Sequence, residues 1–331
     1  MSERRHWLTN ELRKRELITE EQFATVTAWR SLGIFSVRNE LLMLLYLSVL
    51  LFTTGIGIVI YKNIDSIGHL AILAVILLLT VFCFYFSFKN HPGYSRKKAD
   101  FENPVFDYII LLGTLLSGIF LTYLQAQYQP FGTGYAFSAL ALAVVAFPVA
   151  YYFDNRSALS IAITALAAFI GITATPKAVL ANEVYTDPVQ SFYGIALGVI
   201  LLTWSEYSEK TRLKKHFTKV YVMFALHLIG ISCIKGMFEG NLPAFVLLMS
   251  AAGYYFYQKS YKLKSVSLFV FTMVFLYLTV NVLLGKLLDS FHFFDFLQFA
   301  SLLFPVYFIV SIWFFRKLIK HFNKATNDSE E

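Results

Sequence analysis

Residues 41–60, LLMLLYLSVLLFTTGIGIVI, form a run of twenty positions without one charged side chain. At 1.5 Å of helical rise per residue, a run of that length crosses a hydrocarbon core about 30 Å thick. A backbone in lipid has no water to bond to, so it must satisfy its own N–H and C=O groups, and a helix does that within one segment. The run lies behind forty mostly polar residues and no small-residue cleavage site precedes it. A secretory signal would sit at the extreme N-terminus, so this segment is expected to stay in place as a membrane-spanning helix.

Working outward, nine more apolar runs follow. The ten expected spans are Glu40–Tyr61, Gly68–Phe88, Val105–Gln125, Gly134–Phe153, Ser157–Thr173, Val189–Ser205, Thr218–Ile234, Leu242–Tyr257, Ser265–Leu284 and Phe294–Phe315. Only 15% of the 331 residues are charged and 57% are hydrophobic. A soluble domain carries roughly 25% charged residues, so the composition excludes an ordinary water-soluble core. The fold class is therefore all-α: a polytopic transmembrane bundle of about ten helices with a short helical hairpin at its N-terminus. Residues 1–38 read as an amphipathic cytoplasmic hairpin, 39–316 as the bundle, and 317–331 as a polar tail expected to be disordered. Thr19 and Gln22 have capping-box spacing, and Phe23, Val26 and Trp29 share one face of the helix they would start. An earlier helix around residues 10–16 would complete the hairpin, whose readings are a packing or membrane-surface element, or a partner-binding or regulatory hairpin.

Basic residues set the orientation. With the N-terminus and every second connection on one side, that side holds 24 of the 28 Lys and Arg residues, against 4 on the other. Short loops rich in Lys and Arg stay in the cytoplasm, which places both chain ends there. The opposite face is mildly acidic, through Asp65, Glu183, Asp187, Glu239, Asp289 and Asp295. A net charge of +7 spread over short loops suits topology and anionic lipid headgroups, and argues against nucleic-acid binding.

Polar residues at membrane depth are the next signal. His227 falls near the middle of the seventh span and Asn281 in the outer half of the ninth. An unpartnered polar group in lipid costs several kcal/mol, roughly, so both must face the bundle or a cavity. Two outer clusters, Asn63 with Asp65 and Gln125 with Gln127, Tyr128 and Gln129, could together line an extracytoplasmic vestibule; capping and hydration at helix ends explain them nearly as well. Small-residue pairs, Gly194 with Gly198 and Gly113 with Ser117, mark faces where helix backbones approach. Cys83 and Cys233 both lie inside apolar runs and read as buried thiols.

No metal-ligand constellation, nucleophile elbow, phosphate-binding glycine loop or cofactor motif stands in the sequence. The chain is expected to be non-enzymatic, with the lipid bilayer as its environment. Two functional readings follow: a membrane or envelope component, and a small-solute or lipid transporter with a drug/metabolite-transporter-like ten-helix layout. A polar cavity containing His227 or Asn281 would favour the second, and a dry bundle with those groups paired the first.

Four local stretches, Arg15–Phe23, Leu50–Ile58 with the following Lys62–Asp65, Leu111–Gly118, and Leu124–Gln129, carry a resemblance. They resemble the predicted membrane proteins of domain-of-unknown-function family 2157. Ile64 stands where that family has Trp, and Glu16 where its hairpin has glycine. The resemblance covers roughly the first 170 residues. It implies a bacterial inner-membrane protein with a cytoplasmic hairpin and many spans, and implies no substrate.

Overall fold

The structure is a computed structural model that describes residues 19–31, 38–98, 103–132, 134–174, 188–290 and 297–328. Among these residues there are eleven α-helices and no strand. In chain order they are α1 (Glu20–Ser31), α2 (Arg38–Ile67), α3 (His69–Lys89), α4 (Val105–Tyr128), α5 (Ala136–Phe153), α6 (Arg156–Ala174), α7 (Pro188–Thr211), α8 (Thr218–Glu239), α9 (Leu242–Lys262), α10 (Val266–Ser290) and α11 (Leu297–Asp328), with a 3-10 turn at Lys215–Phe217 before α8. Among the described residues six stretches are long and apolar enough to cross a membrane: Glu40–Val59, His69–Lys89, Val105–Tyr128, Ala136–Phe153, Lys215–Glu239 and Val266–Leu287. This is a membrane protein with several membrane-crossing helices, and the bilayer is its environment.

The chain divides into two units, Met1–Phe52 and Thr53–Glu331. In the first, α1 begins with a reciprocal capping box. Gln22 N–H donates to Thr19 Oγ1 at 3.2 Å, and Thr19 N–H donates to Gln22 Oε1 at 3.0 Å. Two N–H groups at the helix start, which have no partner inside the helix, are thereby satisfied. The expected partner helix at 10–16 lies outside the described residues, as do the side chains of Val26 and Trp29.

In the second unit, α5 and α6 are joined only by Asp154 and Asn155, and they pack closely. Asp154 adopts the left-handed conformation (φ 61°) that ends α5, and Asn155 Oδ1 accepts from Ala158 N–H at 2.8 Å to cap α6. The seam between them is built of alanine: Ala143, Ala146 and Ala150 on α5 and Ala158, Ala162 and Ala165 on α6 are all buried. Small side chains let the two backbones close on each other, which gains dispersion contact that lipid would otherwise supply. α8 is the central helix of the main core, with Val222, Ala225, Leu226 and Cys233 fully buried. A smaller core joins α3 and α4 through Ile72, Ile76, Cys83 and Leu116. Outside these cores the helices present apolar surface, as at Leu78, Phe82 and Leu247, which are 68%, 64% and 72% exposed. Such a surface belongs against hydrocarbon.

Two expectations are corrected. Asn63 and Asp65 do not lie in a loop, because α2 stays helical to Ile67; Gly68 alone makes the turn into α3, at a φ of 79° that a side chain would strain. Nor is the C-terminal stretch disordered after Arg316. α11 continues to Asp328, and Phe322 is fully buried against the rings of Phe269 (4.4 Å) and Tyr261 (4.6 Å). One aromatic anchor gives this stretch a tertiary contact that its polar composition hides.

Candidate functional site

The polar residues singled out within the spans bond to different neighbours. His227 Nδ1 is 2.7 Å from the carbonyl oxygen of Met223, one turn back on α8, and its ring meets Phe271 and Phe275 edge-on. Asn281 donates to the Tyr277 carbonyl at 2.7 Å and accepts from Tyr307 OH at 2.8 Å. Tyr277 OH in turn donates to Ser311 Oγ, which ties α10 to α11. Gln125 is 1% exposed and staples the connection after α4: its amide donates to the carbonyls of Gly132 and Gly134, and its Oε1 accepts from Phe131 N–H. Gln127 is half-buried and Tyr128 exposed on the last turn of α4. Asn63 and Asp65 belong to the last turns of α2, and their side chains lie outside the described residues.

The glycines lie at tight helix crossings. A Cβ at Gly198 would stand 2.5 Å from Ile229 Cγ1 and 3.3 Å from the Ala225 carbonyl oxygen; one at Gly194 would collide with Ser232 Oγ. At Gly113 it would meet Cys83 and Phe84 at 3.1 Å, while Ser117, buried one turn on, returns its hydroxyl to the Gly113 carbonyl. Both cysteines are free and buried.

Charge is gathered at one end of this unit. Lys214 Nζ lies 3.0 Å from Asp154 Oδ2, with the two side chains 0% and 1% exposed, and His216 Nε2 lies 2.5 Å from the other carboxylate oxygen. Lys214 also stands 5.1 Å from the Tyr94 ring centroid, and its backbone N–H donates to the Arg96 carbonyl at 3.0 Å. Asn155 reaches the Asp107 carbonyl at 2.9 Å. Three connections, α3–α4, α5–α6 and α7–α8, are thus bound together. His91, packed against Tyr152 and Phe153, titrates below the usual histidine range because burial, and then Lys214, oppose its charged form.

A second network joins α7 to α9. Lys259, 5% exposed, bonds Glu206 Oε1 and donates to Glu209 Oε2 at 2.9 Å; Lys262 reaches Glu209 Oε1 at 2.9 Å, and Tyr255 OH donates to Glu206 at 2.7 Å. Hydrogen bonds from Lys259 and Lys262 hold the Glu209 carboxyl down from 4.5 to about 2. A carboxylate whose folded pKa is depressed stabilises the fold in full above its unfolded value, and that share is lost as pH falls toward the folded value. Stability in neutral detergent is therefore expected to drop between about pH 4.5 and about pH 2. Thermal unfolding across that window checks this, and Glu209→Gln is expected to flatten the profile.

Between these networks lies a cleft of about 640 Å³ lined by Arg96, Lys97, Lys98, Arg156, Arg212, Lys215 and Lys219, together with Glu209, His216, Thr218 and Leu263. An apolar groove of about 500 Å³, lined by Phe147, Pro148, Tyr151, Trp204 and Tyr221 among others, shares the turn at 212–213 with it and the first turns of α8. Neither is lined by His227 or Asn281. Among the described residues no three His, Cys, Asp or Glu side chains come together as a metal would require. Sequence reasoning counts each of these charges as a loop cation or a hairpin residue and misses that they converge. The one available signal is that Arg96–Lys98, Arg156 and Arg212–Lys219 all fall in connections assigned to a single side.

Residues 10–159 match the model of a family described as predicted membrane protein (DUF2157). The resemblance carried by the motifs of the N-terminal half is shown over that stretch. Neither the curated proteins nor the solved structures contain a match to the chain.

Proposed function

We propose that the chain is a non-enzymatic component of a bacterial inner membrane, crossing it ten times with both ends in the cytoplasm. Its working surface is the cytoplasmic polar end, and no passage runs through the bundle. The observation that carries this reading is the engagement of His227 and Asn281. Each is closed off by its own helix and by aromatic neighbours, whereas the charged groups concentrate where the connections meet.

The count of ten draws support from parity. Residues of the α3–α4, α7–α8 and α9–α10 connections, with Arg156 at the start of α6, line one cleft, so each intervening pair of helices would leave that side and return to it. The apolar α6 and the longer α7 and α9 then cross as partners of α5 and α8, with their charged ends in the cleft side's water. α1, whose described face is mostly exposed, is the element on which a protein partner would dock.

A carrier would need its mid-membrane polar groups on a water-filled path. The test is His227→Cys in a Cys83→Ala/Cys233→Ala background, reconstituted in proteoliposomes and treated with a water-soluble maleimide from each side. No reaction is expected at 227, while Tyr128→Cys, at an exposed helix end, reacts. Labelling at 227 would overturn this reading and favour a carrier.

A further inference from the structure

The basic cleft has the chemistry of a ligand site. Among the described residues, Arg96, Lys97, Arg156, Arg212, Lys215 and Lys219 have no carboxylate within ion-pair distance. The local acids are committed elsewhere: Asp154 holds Lys214 and His216, and Glu209 holds Lys259 and Lys262. Six cations around one concavity repel each other, and with no free carboxylate facing them among the described residues, a bound anion would relieve that repulsion.

Two further observations point to where the anion sits. Thr218 lines the cleft, is 2% exposed, and its Oγ1 has no hydrogen-bond partner among the described residues. A buried hydroxyl left unbonded costs free energy that a ligand oxygen would recover. Thr218 is also the first residue of α8, a helix of 22 residues that no side chain caps and that the 3-10 turn feeds, with the Thr218 N–H donating to the Lys215 carbonyl. A helix start presents partial positive charge and suits phosphate. The arginines add planar donor forks that match phosphate oxygens.

We infer that this cleft binds a phosphate group, held by Arg212, Lys215 and Lys219 with Thr218 Oγ1 donating to one of its oxygens. Its volume of about 640 Å³ lies within the usual range for small-ligand pockets, roughly 300–1,000 Å³. The phosphate belongs either to an anionic phospholipid, whose acyl chain would lie in the adjoining apolar groove, or to a soluble phosphorylated solute. The inference goes beyond the proposed function and does not need it, since binding by the purified chain is indifferent to topology and to transport.

The test uses the full chain in neutral detergent, titrated with dioctanoyl phosphatidylglycerol, with inorganic pyrophosphate, and with dioctanoyl phosphatidylcholine as the net-neutral control. A saturable rise in unfolding temperature is expected with at least one anionic probe and not with phosphatidylcholine. Arg212→Gln/Lys215→Gln is expected to weaken that binding tenfold or more, and Thr218→Val to weaken it measurably. Both replaced cations are exposed and have no carboxylate partner among the described residues, so the unliganded unfolding temperature is not expected to fall. Should that double variant unfold early, Lys97→Gln/Lys219→Gln, equally exposed, carries the same comparison. Lys320→Gln/Lys324→Gln removes the same charge from α11, none of whose residues lines the cleft, and should leave binding intact. A response to phosphatidylglycerol alone assigns a lipid headgroup, and a response to pyrophosphate alone a soluble phosphate. The proposal is overturned if neither anion binds, or if the α11 variant weakens binding as much as the cleft variants do.

Discussion

Asp154→Asn is expected to lower the unfolding free energy by about 3–5 kcal/mol, the usual loss when one member of a buried ion pair is removed. Lys214 is fully buried, and Asp154 is the carboxylate that faces it at 3.0 Å. Without that charge the ammonium keeps a ring face at 5.1 Å, a far weaker partner than a carboxylate. The same carboxylate also holds His216, so two contacts fail together and the α7–α8 turn loses its tie to the α5–α6 hairpin. Unfolding in detergent gives the measurement. Asp154→Asn/Lys214→Met, which removes both charges and leaves a long apolar stem, should regain a good part of the loss. A fall of less than about 1 kcal/mol for the single variant, in the range of an exposed pair, would mean that this pair is not buried as described.

Gly198→Leu is expected to cost about 3 kcal/mol, at the upper end of what overpacking a close seam does. The Cβ alone would lie 2.5 Å from Ile229 Cγ1, and the Ala225 carbonyl oxygen 3.3 Å away belongs to the backbone of α8. A side-chain rotation cannot relieve a contact with backbone, so α7 and α8 must part. Gly285→Leu on α10 is the control. Nothing lies within 4 Å of a Cβ there, and its effect should stay within about 0.5 kcal/mol. Comparison of the two unfolding transitions in the same detergent decides the point, because lipid-facing and seam glycines then differ only in what surrounds them.

The helices were legible because hydrophobic run length is a local property: each of the ten apolar stretches contains a helix, and among the described residues six meet the length and apolarity a crossing helix needs. What failed locally were the ends. Asn63 and Asp65 read as loop because they are polar, yet a helix can carry polar residues through its last turn when a glycine follows that can make the corner. Phe322 lies among lysines and asparagines, so composition marks its stretch as tail, and only the aromatic contacts with Tyr261 of α9 and Phe269 of α10 reveal the anchor. The alanine seam between α5 and α6 was readable, since Ala143, Ala146 and Ala150 recur at helical spacing, but alanine blends into any apolar run where glycine stands out. The charged end was beyond local reading. Asp154 and Lys214 are sixty residues apart, and no spacing rule pairs them. What the sequence did hold was a basic bias in alternate connections, and residues in or bordering four of those line the cleft.

That sidedness is the centre of the account, and one experiment tests it most directly. Single cysteines at Lys97, Arg212, Tyr128 and Asn241, in the Cys83→Ala/Cys233→Ala background, are exposed to a membrane-impermeant maleimide in right-side-out and inside-out vesicles. Positions 97 and 212 should react only in inside-out vesicles, and 128 and 241 only in right-side-out ones. If 97 and 212 react from opposite sides, or 241 reacts from the same side as 212, the alternation of the helices across the membrane is wrong and the polar end is not a single cytoplasmic face.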